Sequence, residues 1–555
     1  MLNLNADTDV ANVHSVVAAG ALLVDVREPD EFAEGTIEGA INVPLGEVEG
    51  RIGLFDKATP IAFLCRSGNR SGKAAELYRE AGYKAVNLRG GMLAWAEAQR
   101  SDTLLCQQFY LDCLSQASYL IIDKTSKRAV VVDPTRDVQQ YIDSAATHGA
   151  TIELVLETHF HADFLSGHLE LAAATGAVIG YGAAATPEFA ARLFADGERY
   201  PLGRVELEMR LTPGHTPESM SIVVWEHPDD AAPYAVLTGD TLFIGDVGRP
   251  DLLVSVGKTA DELGSMLFRS LHDKLLTLPD STRVLPAHGA GSACGKNLST
   301  ETMSTIGDQR RDNYALQIRD ANKFVEIVSE GQPPAPGYFV FDAKLNAQNR
   351  DVLDEHTPPK RLTIGEAMWR GRHGARILDT RDPQYFALGH LRGSVNVGLQ
   401  GRYAEFAGAV VNPDEEIIVV TEPGTELEAK VRLARIGYDK LLGWVSVDDL
   451  ASDFDNVAQA SRLTRAQFAV RRHKIENVQV VDVRNEGEVH DGMIDGARNI
   501  PIAQLRSRMS ELDPMKPTVV YCAGGYRSSI AASLLREAGF ADVSDVLGGY
   551  AAIAA

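Results

Sequence analysis

Cysteine is scarce in this 555-residue chain. The five present, Cys65, Cys106, Cys113, Cys294 and Cys522, are odd in number and scattered. That excludes a disulfide-stapled scaffold and fits reduced thiols in the cytoplasm. No apolar run is long enough to span a bilayer. The stretch Val16 to Val24 is short and no Lys or Arg precedes it, so it does not read as a signal peptide. Basic residues are outnumbered, 54 Lys plus Arg against 76 Asp plus Glu, for a formal net charge of −22. Such a balance repels phosphate backbones and argues against nucleic acid as a partner. What is present is ordinary globular composition, 45% hydrophobic and 23% charged. At roughly one domain per 150 residues, the length suggests three or four domains.

The chain repeats itself. LLVDVREPDEFAEGTIEGAINVPL at 22–45 aligns without a gap to QVVDVRNEGEVHDGMIDGARNIPI at 479–502, and RILDTRDPQYFALGHLRGSVNVGL from Arg376 to Leu399 is a third copy. Each reads as a strand ending on Asp, a helical turn and a short strand. The first and last copies continue in step. A buried-strand run ends on Cys65 or Cys522, 40 positions after Asp25 or Asp482, and a Gly-containing loop then leads into a helix. Alternating strands and helices predict small parallel sheets covered on both faces. The expected units are 1–100, 360–455 and 462–555. Between them, 101–345 reads as a hairpin and further strands, several delivering His or Asp at their ends. Pro333, Pro334, Pro336, Pro358 and Pro359 mark its far boundary.

The two cysteine loops share the form C-x-x-G-x-R-S, with Arg70 and Arg527 five residues after the Cys. A Cys between a strand and a helix faces converging N–H groups and the positive helix end, which favour a thiolate and an anionic ligand. A small core thiol is the bland alternative, made improbable by two copies of identical spacing. Phosphatase chemistry would use a Cys and an Arg in a similar way. The D-V-R…G-x-I-x-G-A-x-N-[IV]-P…C-x-x-G-x-R-S pattern resembles the rhodanese sulfurtransferases. That resemblance implies Cys65 and Cys522 as persulfide carriers, with Arg70 and Arg527 helping to bind the anionic donor. In the middle copy Thr421 stands for the Cys and Glu426 for the Arg. A hydroxyl cannot form a persulfide, so 360–455 is expected to be a structural pseudo-rhodanese.

The central region holds the other chemistry. Thr158-His159-Phe160-His161-Ala162-Asp163-Phe164 follows the strand IELVLE, and His215, Asp240 and His288 each sit in a Gly- or Pro-marked loop. Four strand-end sites of this kind predict a metal centre. The set H-x-H-x-D, G-H-T-P, G-D-T and P-A-H-G resembles the metallo-β-lactamase superfamily, many members of which bind two metals and carry a His after the Asp. Here that position is Phe164, which disfavours a full dinuclear hydrolase centre. Two imidazoles and a carboxylate compose a facial triad for non-heme Fe(II). Within the superfamily the chain looks like the persulfide dioxygenases. The resemblance implies one Fe(II) per chain on His159, His215 and Asp240, with His161, Asp163 and His288 in support. Arg249 would orient the thiol-bearing substrate, a plain salt bridge being the alternative. Cys294, six residues after His288, is expected near the metal mouth; Cys106 and Cys113 carry no motif.

The expected fold class is therefore α/β multidomain, one metallo-β-lactamase αββα sandwich plus three rhodanese-like parallel-sheet domains. The expected function is oxidation of a low-molecular-weight thiol persulfide by O2 to sulfite and thiol, joined to sulfur transfer involving thiosulfate or sulfite. No nucleic acid or membrane partner is implied, and the chain is free to form a homo-oligomer. Two alternatives are a glyoxalase II-type thioester hydrolase and a non-oxidising sulfur carrier.

Overall fold

The structure is a computed structural model that describes residues 7–33, 35–53, 55–92, 94–95, 101–252, 259–332, 335–490 and 492–554. Pro333 and Pro334, expected at a boundary, lie outside these residues. The repeats fold alike. In the first, parallel strands run in the spatial order Thr8–Asp9, Ala85–Arg89, Ile61–Leu64, Leu22–Asp25 and Ile41–Asn42. The last reproduces that order with Ser461–Leu463, Val543–Val546, Thr518–Tyr521, Gln479–Asp482 and Arg498–Asn499. The middle copy keeps four parallel strands, with Ile417–Thr421 between Arg376–Asp379 and Leu441–Ser446. In all three the Asp ending the strand pairs with an Arg two residues on, Asp25 with Arg27, Asp379 with Arg381 and Asp482 with Arg484. Each such carboxylate is fully buried, so the pair is what makes its burial tolerable.

The central region is two six-stranded sheets packed face to face. The expected hairpin is there as Gln116–Asp123 and Arg128–Val132, antiparallel, and Thr151–Leu156 then joins in parallel. Alternate residues of facing strands, such as Leu154, Leu156, Leu207, Met209, Ile222 and Val224, fill the space between the sheets. Tyr141, Ala145 and Leu171 cover one outer face, and Leu267, Leu271 and Phe324 the other. The result is the αββα sandwich, with every strand-end loop of interest at one rim.

The Cys-less domain packs directly on that rim. The Leu165 N–H donates to the Arg435 carbonyl at 2.7 Å. Arg136, buried, reaches Glu170 at 2.8 Å, Asp439 at 2.7 Å and the Ala434 carbonyl at 3.0 Å. Burial works against the Glu170 charge, but Arg350 and Arg136 hold its carboxyl down at about 2. The domain without a cysteine is thus a buttress for the loop that carries His159 and His161.

Candidate metal centre and sulfur-transfer loops

His159, His215 and Asp240 converge from three loops. Their ligating atoms lie within 4.8 Å of one another and all three residues are buried. The Asp240 Oδ2 is 3.8 Å from His159 Nε2 and 3.5 Å from His215 Nε2. Ligands on bonds of about 2.1 Å stand about 3.0–3.4 Å apart around a shared ion, so the set needs only a slight contraction to close on one. Gly248 permits the approach: a Cβ there would sit 1.9 Å from the Asp240 carbonyl oxygen and 3.2 Å from the His215 side chain.

Each ligand is aimed by a partner behind it. His215 Nδ1 donates to the Arg249 carbonyl at 3.0 Å. The Thr158 hydroxyl donates to Asp133 at 2.9 Å, which leaves its oxygen to accept from His159 Nδ1 at 2.9 Å. Both Nε2 lone pairs therefore face the cluster, the tautomer a metal requires. The Asp240 Oδ1 accepts from His288 Nδ1 at 2.7 Å, and His288 Nε2 meets Asp163 at 2.7 Å. Buried His159 Nε2 and Asp240 Oδ2 make no hydrogen bond. Orphaned atoms of this kind are costly unless a further group binds there.

Electrostatics sorts the imidazoles into two kinds. Burial pushes His159 and His215 down, so both stay neutral. Burial would raise Asp240, but His288 overcomes it and keeps the carboxyl ionised. Two neutral imidazoles and one carboxylate are the protonation states in which such groups bind a dication. His288 and His161 go the other way. Burial opposes their charge, yet Asp163 and Asp240 push His288 up to about 10. Asp133 at 3.0 Å and Glu157 at 3.5 Å hold His161 well above the usual range. His161 thus belongs to a buried carboxylate pair and is absent from the three-ligand cluster.

Phe164 is fully buried, its ring centroid 4.3 Å from that of His161 and 6.5 Å from that of His288. Cys294 joins Asp163 and His288 in a second buried group. Burial pushes the Cys294 thiol well up, and Asp163 and Asp240 add to it. Arg249 lies beside the cluster, but its guanidinium is engaged by Asp251 at 2.7 and 2.6 Å and by the Ala293 carbonyl at 3.1 Å. Its backbone, rather than its charge, touches the ligand set.

The cysteine loops repeat one another in detail. The Gly68 N–H donates to Cys65 Sγ and the Gly525 N–H to Cys522 Sγ, both at 3.1 Å. Both glycines have positive φ, +105° and +99°, as the curl of the loop requires. Arg70 makes a bidentate pair with Glu31 at 2.6 and 2.7 Å, and Arg527 with Glu488 at the same distances. Each guanidinium is therefore already held in place. In the middle domain Thr421 bonds Thr380 at 2.7 Å and Thr425 at 2.6 Å, and Glu426 turns onto the Gly424 N–H. Its polar groups satisfy one another.

The sequence profile of the metallo-beta-lactamase superfamily matches residues 111–288, and that of the rhodanese-like domain matches 10–98, 365–451 and 466–555. A probable metallo-hydrolase of Burkholderia pseudomallei is 31% identical over 233 residues, 36% of this chain and 76% of the relative. The chain belongs to the metallo-beta-lactamase superfamily and carries three rhodanese-like domains. Human mitochondrial persulfide dioxygenase ETHE1 is 28% identical to this superfamily member over 251 residues, 44% of this chain and 87% of the relative. A crystal structure of a metallo-beta-lactamase from Staphylococcus aureus superposes with a TM-score of 0.57 at 30% identity, covering 62% of this chain and 99% of that one.

Sequence reasoning missed the residues behind the ligands. Asp133 follows the strand Arg128–Val132 and Thr158 precedes the His pair, but nothing in the sequence assigned either a role. Asn346, 180 residues beyond, accepts from the Ser166 N–H and donates to the His161 and Phe164 carbonyls at 2.7–2.9 Å. No local pattern announces it. Replacing Thr158 by Val keeps the shape and removes the hydroxyl that fixes the His159 tautomer. Metal affinity is then expected to fall about 10–100-fold, measured by competition with a chelator of known affinity.

Proposed function

We propose that the superfamily domain is a non-heme iron persulfide dioxygenase, converting a low-molecular-weight thiol persulfide and O2 to sulfite and thiol, with sulfur transfer at Cys65 and Cys522 coupled to it in sulfide detoxification. The observation that carries this reading is a ligand set of two neutral imidazoles and one ionised carboxylate with Phe164 beside it. The orphaned Nε2 and Oδ2 atoms and their spacing fit one metal ion. His159, His215 and Asp240 would hold Fe(II), which supplies open coordination positions for O2 and a sulfur ligand. Asp133 and Thr158 orient His159, the Arg249 carbonyl orients His215, and Asp163 through His288 orients Asp240. The Phe164 ring keeps water and a further ion away from the side facing His161. Arg249, braced by Asp251, is the candidate for orienting the thiol. At the transfer loops the N–H groups of Gly68 and Gly525 stabilise anionic sulfur, with Arg70 and Arg527 as the cationic partners. Five scattered cysteines, joined by no disulfide among the described residues, suit a reducing cytoplasm. Among the described residues no helix is long and apolar enough to cross a membrane.

A hydrolase reading draws on the second buried group, Asp163, His288 and Cys294, as the place for another metal. The two readings separate on metal content. Protein loaded anaerobically with excess iron and then desalted is expected to retain close to one metal per chain, and none after His215→Ala. Two metals per chain with cleavage of a glutathione thioester would replace the dioxygenase by the hydrolase.

A further inference from the structure

The two cysteine-bearing copies differ in what covers them. In the last domain Arg527, within hydrogen-bonding reach of Cys522, lines a cavity of about 490 Å³ together with Glu488, Pro501 and Ile502. The opposite wall is the helix Tyr403–Val410 of the Cys-less domain. The helix after Cys522, Tyr526–Glu537, lies against the same neighbour. Its Tyr526 hydroxyl donates to the Gly398 carbonyl at 2.8 Å, its Ser529 hydroxyl donates to Asn396 at 2.9 Å, and its Ser533 hydroxyl accepts from the Asn396 N–H at 2.9 Å. Arg506 donates to Glu415 at 3.0 Å and to the Val410 carbonyl at 3.1 Å. One apolar cluster runs from Ile502 and Ile530 into Tyr403 and Ala407.

The copies stay in step along these elements, and the first domain has replaced every one of those contacts. Asn69 stands for Tyr526, Gly72 for Ser529, Lys73 for Ile530, Glu76 for Ser533 and Glu49 for Arg506. Lys73, Glu76 and Glu49 are exposed, where Ile530, Ser533 and Ser529 are buried. A Glu at 49 would repel Glu415, so this face cannot take the Cys-less domain in the same way. Asn69 turns instead to the Thr300 carbonyl of the sandwich at 3.1 Å, on the far flank of the loop. The apolar cluster around Cys65 holds residues of its own domain alone. Arg70 pairs with Glu31. Among the described residues no hydrogen bond or ion pair joins either of them, or Pro44 or Leu45, to another domain. The Cys65 mouth is thus half of a site: the sulfur-holding wall is complete and the facing wall is absent. A small thiol needs most of its surface enclosed, whereas a partner protein brings the second wall with it. On the uncovered face exposed Glu49, Glu76 and Glu80 outnumber Lys73, which suits a basic surface.

We infer that Cys65 takes sulfur from a cysteine persulfide carried by a second protein of basic surface, while Cys522, roofed by the Cys-less domain, serves low-molecular-weight thiols alone. The inference rests on the sulfur-transfer reading of both loops. The Cys65 thiolate attacks the outer sulfur of the partner's persulfide. An S–S bond forms to Cys65 Sγ as the partner's own S–S bond breaks. The partner's inner sulfur keeps that electron pair and leaves as a thiolate, and the proton stays on the transferred sulfur. No oxidant or reductant enters. Cys65 is buried at the floor of its loop, so the partner's cysteine has to stand on a protruding segment.

The test uses the full-length protein as Cys522→Ser, which keeps Cys65, and as Cys65→Ser, which keeps Cys522. Each is mixed with one short peptide persulfide, either free or joined at the end of a short tail to a small, lysine-rich folded carrier. Loading of the remaining loop cysteine is followed by mass spectrometry. Joining the carrier is expected to change the rate constant at Cys65 by less than about threefold and to lower that at Cys522 by at least about 30-fold, since only the roofed site excludes a folded domain. A glutamate-rich carrier should load Cys65 about tenfold more slowly than the lysine-rich one, and an equal rate would overturn the basic partner. The same carrier effect at both loops, or a carrier that loads neither while the free peptide loads both, would overturn the inference and leave sulfur transfer standing. Loading by the carrier that falls as the chain's own concentration rises would give the mouth to a second copy and overturn it too. Should a variant not fold, wild type treated with the lysine-rich carrier decides: sulfur is expected on Cys65, and sulfur on Cys522 would overturn the inference. If neither variant supports thiosulfate:cyanide transfer, the sulfur-transfer reading fails and this inference with it.

Discussion

Asp240→Asn is expected to empty the metal site and lower persulfide-dependent O2 uptake by at least about 10³-fold, because a bound metal contributes several kcal/mol to such a reaction and each 1.36 kcal/mol is tenfold. The amide keeps the size and the approach of His288, so the fold should persist. What it loses is the ionised oxygen. The Asp240 carboxylate is the one anionic member of the three-residue cluster, and its Oδ2 has no other partner. Without it, His159 and His215 present two neutral donors to a dication in a buried site. Metal analysis and an oxygen electrode on the same sample check both halves. Thiosulfate:cyanide transfer should continue at the rhodanese-like domains, since neither cysteine touches the cluster.

The second large effect falls on the other chemistry. Cys65→Ser combined with Cys522→Ser should abolish thiosulfate:cyanide transfer, a loss of more than about 10³-fold, because the hydroxyl cannot carry the sulfur covalently. The swap is nearly isosteric, and both sulfurs are buried and held by a glycine N–H, so little else should change. The natural comparison lies within the chain: Thr421 stands at the equivalent strand end and its hydroxyl is consumed by Thr380 and Thr425. Residual transfer in the double variant, followed by release of cyanide-labile sulfur, would place the carrier elsewhere, with Cys294 the first to examine.

Much of this was legible in the sequence because each domain writes its site on a local stretch. The repeated D-V-R and C-x-x-G-x-R-S segments announced two copies with the thiol and one without it, and the shared strand order bears out the common fold. The αββα sandwich was also read correctly, as what the resemblance carried by the His and Asp motifs implies. The cluster of His159, His215 and Asp240 was named as what that resemblance implies, and the structure brings those three together. The pairings behind them were not legible. Asp133 reaches His159 through Thr158 across a parallel strand pair, and Asn346 closes on the His161 loop from 180 residues away; neither follows a period or a motif. The partner of Arg249 was equally hidden: its motif suggested a guanidinium for the substrate, and the structure adds that Asp251, two residues on, pairs with it.

The most direct test is O2 consumption by iron-loaded protein supplied with glutathione persulfide, with iron counted on the same sample. Uptake that yields one sulfite or thiosulfate-bound sulfonate per O2, at close to one iron per chain, is what this account predicts. No uptake by protein that holds its iron and retains sulfur transfer would contradict it.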